Sequence, residues 1–105
     1  MTILVKDASV RFGAFHDCFF IVCNVVKDVW SRHAPGIHPV ITSANDAKHM
    51  LGSLHYQDRG WDFRTFTLPR STTDLIVKEL KELLGPDFDV VLEKDHLHIE
   101  YDPPQ

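Results

Sequence analysis

The segment DHLHIEY, residues 95–101, alternates polar with apolar side chains from His96 onward. In a strand, residues two apart share a face, so Leu97, Ile99 and Tyr101 point one way and His96, His98 and Glu100 the other. Such alternation belongs to a sheet with one face on a core and the other open. WDFRTF, residues 61–66, has the same period: it buries Trp61 and Phe63 and turns Asp62 and Arg64 outward. With both strands in one sheet, Asp62, Arg64, His96, His98 and Glu100 converge on the open face.

The remaining elements fall into place around these two strands. DFDVVL, residues 87–92, forms a hairpin with HLHIEY, turning at Glu93, Lys94 and Asp95. A helix runs from His16 to about His33, where Phe19, Phe20, Val22, Cys23, Val26, Val29 and Trp30 recur at spacings of three and four, and Pro35 and Gly36 close it. A second helix follows Pro69, capped by Ser71, Thr72 or Thr73, with Leu75, Ile76, Leu80, Leu83 and Leu84 as its apolar stripe and Gly85 as its stop. HPVITSA (38–44) is a short β-branched strand, and TILV (2–5) is a short strand or ordered arm. Residues 45–60 show little periodicity and read as a loop or lid, the kind of segment that carries function on a rigid scaffold. The order predicts an α+β domain, one unit over 1–105, with helices on one face of a mainly antiparallel sheet.

Composition narrows the classes. A net charge of -4 and no basic stripe argue against nucleic acid as partner, because phosphates are held chiefly by surplus Lys and Arg. The longest apolar run, CFFIVCNVV (18–26), is about half of what a membrane span needs. No basic leader with a cleavage site precedes it, so the expectation is no membrane, no signal peptide and synthesis into the cytoplasm. Cys18 and Cys23, five apart on a helix, point to different faces and are expected to be buried free thiols.

The open face carries metal-ligand vocabulary. Zinc takes three or four donors from His, Cys and Asp or Glu, and a catalytic site keeps one position for water. A His-x-His pair on an exposed strand is by itself more often a solvated face. Here it falls on the same predicted face as Asp62, and His55 supplies the further imidazole if the loop folds back at Gly60.

SLHYQDRGWD (53–62) followed downstream by DHLH (95–98) resembles the zinc peptidases of the M15 type. These include D-alanyl-D-alanine carboxypeptidases, phage L-alanyl-D-glutamate endolysins and, by fold, the hedgehog signalling domain. The family signature is Ser-x-His-x6-Asp, then an acidic residue or histidine ahead of a final His. The similarity spans about residues 28 to 102 and is closest to small phage-type members.

The resemblance implies a hedgehog-like fold and one zinc ion held by His55, Asp62 and His98. It makes Asp95 the general base, His96 a partner of the reacting oxygen, and Ser53 a residue that orients loop or substrate. The family often has glycine three residues after its first ligand and alanine five after, where this chain has Asp58 and Gly60. Its substrate-binding arginine in an SGYR-like stretch has no counterpart in TSAND (42–46), so Arg64, Lys48 or Arg59 would substitute, with Arg64 already on the open face. The implied activity is hydrolysis of peptide bonds in peptidoglycan stem peptides or cross-links, in a phage-derived enzyme that is released to the wall on lysis, carried in the virion or kept inside the cell. The alternative is a non-catalytic, zinc-stabilised binding module of the same fold, since fold does not fix function.

Overall fold

The structure is a computed structural model, and it describes residues 1–44 and 58–103. Among the described residues five strands and two helices follow in the order β1 (Leu4–Val5), α1 (Asp17–His33), β2 (Val40–Ser43), β3 (Gly60–Arg64), α2 (Arg70–Leu84), β4 (Phe88–Leu92) and β5 (His96–Tyr101). The sheet order is β1-β2-β3-β5-β4, antiparallel throughout except for the parallel β1–β2 pair. The expected α+β architecture, with an open and mostly antiparallel sheet, is what the chain adopts.

The core lies between the helices and one face of the sheet. Cys18, Val22, Val26, Val29 and Trp30 bring the buried stripe of α1, and Ile41, Trp61, Phe63, Val90, Leu97 and Ile99 come from the strands. Trp30 stacks toward Phe63 with ring centroids 6.3 Å apart, and Phe19 toward Trp61 at 5.3 Å. Phe63, Leu97 and Ile99 have no exposed surface, which fixes the direction in which β3 and β5 face. Among the described residues no helix is long and apolar enough to cross a membrane.

The helices differ from expectation in detail. Phe20 lies outside the α1 stripe and is exposed. Helix α2 begins at Arg70 with Pro69 at its N-cap, and no side chain caps it, so Ser71, Thr72 and Thr73 occupy its first turn. Proline presets a φ close to the helical value and needs no partner for an N–H. Thr73 is buried there and donates its hydroxyl to the Pro69 carbonyl at 3.2 Å. The α2 stripe is Thr73, Ile76, Leu80 and Leu84, whereas Leu75 and Leu83 are half exposed. Each precedes a stripe residue by one position, a rotation of about 100° around the helix. Gly85 ends the helix at φ 79°, a left-handed backbone that glycine adopts without a Cβ penalty.

Candidate functional site

The two central strands build the site. In the β3–β5 register Asp62 stands opposite His98, Arg64 opposite His96 and Gly60 opposite Glu100. The hydrophobic partners in the same strands are sealed in the core, so these five polar side chains share the open face.

Their donors form an alternating row of carboxylates and imidazoles. Asp95 Oδ1 lies 2.7 Å from His96 Nδ1, and the other nitrogen of His96 lies 3.7 Å from Asp62 Oδ2. Asp62 Oδ1 is 2.8 Å from His98 Nδ1, and His98 Nε2 is 2.8 Å from Glu100 Oε1. The centre of the row is sheltered, with the Asp62 side chain 14% exposed, and the Asp95 end is open at 67%.

Charge follows this geometry. Burial pulls the His98 pKa down, but hydrogen bonds and charge from Asp62 and Glu100 outweigh it and leave it raised. The hydrogen bond from His96 holds the Asp95 carboxyl below its ordinary value, against a small effect of burial, with help from the charges of His96 and Lys94. Asp95 is therefore ionised at neutral pH.

Backbone bonds place the open end. Thr65 donates its N–H to the Asp95 carbonyl at 3.0 Å, and Glu93 donates to the His96 carbonyl at 2.8 Å, which locks the β4–β5 turn against the end of β3. A cleft of about 390 Å³ opens beside it, lined by Lys6, Thr42, Arg64, Phe66, Asp95 and His96. The Arg64 guanidinium lies 5.1 Å from the centre of the Phe66 ring, and its Nε finds no hydrogen-bond partner among the described residues.

The structure thus brings together Asp62, His98, His96, Asp95 and Arg64 of the expected site. Ser53 and His55 lie outside the described residues, as does Lys48. Glu100 was visible on the open face in the alternation, but nothing in the sequence tied it to His98. Lys6 and Thr42 carried no signal, because they reach the cleft only through the pairing of β1 with β2 and of β2 with β3.

Among the described residues one group of three donors lies close enough to hold a metal ion, namely Asp89, Glu100 and Asp102, at the far end of the β4–β5 hairpin. Its ligands are all carboxylates, a set suited to a hard cation, and exposed acids often gather without one. Cys18 and Cys23 are free thiols as expected, but only Cys18 is buried; Cys23 is part-buried, and that partial burial still pushes its thiol up to about 11. No family model matches this chain, and no curated protein matches it.

Proposed function

We propose that the chain is a zinc-dependent metallopeptidase of the M15 type, hydrolysing peptide bonds in peptidoglycan stem peptides or cross-links, and that it derives from a phage. The observation that carries this reading is the placement of Asp62 and His98, 2.8 Å apart on the open face, beside a cleft that holds Asp95, His96 and Arg64. A carboxylate and an imidazole at that separation, sheltered but not sealed, suit a shared zinc ion, with His55 as the third ligand. Asp58 adds support: its φ of 58° is left-handed, and it stands where the resembled family often has glycine. When bound, zinc would act as a Lewis acid that makes water more acidic and polarises a carbonyl.

The chain's own residues then divide the work. The Asp95 carboxylate, open to solvent and ionised, accepts a proton from the water whose oxygen attacks the peptide carbonyl carbon. It returns that proton to the leaving amine as the C–N bond breaks. His96 and Arg64, on the same cleft wall, offer N–H groups to the oxygen that gains negative charge. Arg64, braced on Phe66, also suits an anionic group on the peptide.

The test is zinc content and cleavage of purified peptidoglycan by wild type, Asp95→Ala and His98→Ala. Wild type should bind one zinc and release peptide fragments, Asp95→Ala should keep the metal and lose cleavage, and His98→Ala should lose both. A wild type that binds zinc but cuts no cell-wall peptide would favour the non-catalytic binding module.

A further inference from the structure

His98 is held on both sides of its ring, and the two holds are not equivalent. Nδ1 faces Asp62 across the β3–β5 pair, while Nε2 faces Glu100, two residues further along the same strand and on the same face. Gly60 stands opposite Glu100 and presents no side chain, so no β3 side chain competes with His98 for the Glu100 carboxylate. Glu100 and His98 are both mostly sheltered, at 23% and 17% exposure.

We infer that Glu100 is a positioning residue for the metal site: it accepts the Nε2–H of His98, fixes the ring, and so presents Nδ1 as the ligating nitrogen beside Asp62. The inference rests on the reading of Asp62 and His98 as zinc ligands. Its physical reason is that an imidazole can ligate through one nitrogen only if the other carries the proton, and the partner of that proton sets tautomer and orientation. Without Glu100 the ring can turn over and take Nδ1 away from Asp62. Glu100 also has a carboxylate oxygen within 4.8 Å of those of Asp89 and Asp102, so the test must distinguish a partner of His98 from a member of that carboxylate cluster.

The experiment compares wild type, Glu100→Gln, Glu100→Ala and Asp102→Asn for zinc affinity, by competition with a chromophoric chelator. Ring-nitrogen NMR of His98 in the zinc-loaded protein supplies a second readout. Wild type should show zinc on Nδ1 and a proton on Nε2. Glu100→Ala should weaken zinc binding by about 10–100-fold. Glu100→Gln, whose side-chain oxygen still accepts from Nε2–H, should recover part of the loss, and Asp102→Asn should bind like wild type.

Unchanged affinity in Glu100→Ala, or ligation through Nε2, overturns the positioning role while leaving the metal reading intact. Equal weakening in Asp102→Asn overturns it too, because Glu100 would then be a ligand of the carboxylate cluster. A wild type that takes up no zinc overturns both. Circular dichroism identifies a variant that has failed to fold, in which case Glu100→Gln decides.

Discussion

Replacing His98 by alanine in the metal-free protein removes the only imidazole set between Asp62 and Glu100 among the described residues, and leaves two sheltered carboxylates without it. Each of the two hydrogen bonds is charge-assisted and 2.8 Å long, and such a bond contributes about 1.5–3 kcal/mol net. The carboxylates, 14% and 23% exposed, regain some water through the space left by the ring, which offsets part of that loss. The expected cost is about 2–4 kcal/mol, or roughly 10–30 °C in Tm for a domain of this size.

The pH dependence has a definite sign. His98 has a raised pKa in the folded chain, so its contribution is complete below the unfolded value of about 6.5 and is lost as pH rises through the folded value. Thermal unfolding of chelator-treated wild type and His98→Ala, followed by circular dichroism at about pH 6 and about pH 9, measures the difference. It should be larger at the lower pH. A difference below about 0.5 kcal/mol at the lower pH, or one that widens toward alkaline pH, would show that the two contacts do not hold the ring as argued.

Two further outcomes follow from local structure. Asp58→Gly should leave stability within about 0.5 kcal/mol of wild type, whereas Asp58→Ala should lose about 1 kcal/mol in urea unfolding, because alanine lacks the short polar side chain that makes a left-handed backbone tolerable. Cys23, pushed up to about 11 by burial, should react with iodoacetamide at about pH 8 some 100-fold more slowly than an unperturbed thiol. Fast modification in the native protein would mean that the partial burial of Cys23 does not raise its thiol as argued.

The strands that carry the site were legible because two signals in them agree. Leu97, Ile99, Trp61 and Phe63 needed a core, so period two alone assigned His96, His98, Asp62 and Arg64 to the opposite face, and the register bears this out. The row of contacts was not legible, since a 2.8 Å bond between His98 and Glu100 depends on side-chain rotation, on which sequence spacing is silent. In the helices, hydrophobicity without angular bookkeeping misled: Leu75 and Leu83 are apolar but sit about 100° off the stripe. The cap of α2 was mistaken for a different reason, since Pro69 begins the helix by its fixed φ while the hydroxyl residues after it already lie inside. Lys6 shows the limit for sites assembled from distant segments, because only a two-residue parallel pairing brings it to the cleft.

The interleaving of core and site along β5 also limits how this protein can change over time. His96, His98 and Glu100 alternate with Leu97 and Ile99, which are sealed in the core. A single-residue insertion or deletion within 96–100 would exchange the two sets, driving imidazoles into the core and leucine and isoleucine onto the open face. Evolution in this segment is therefore confined to substitutions, and length variation must be absorbed elsewhere in the chain.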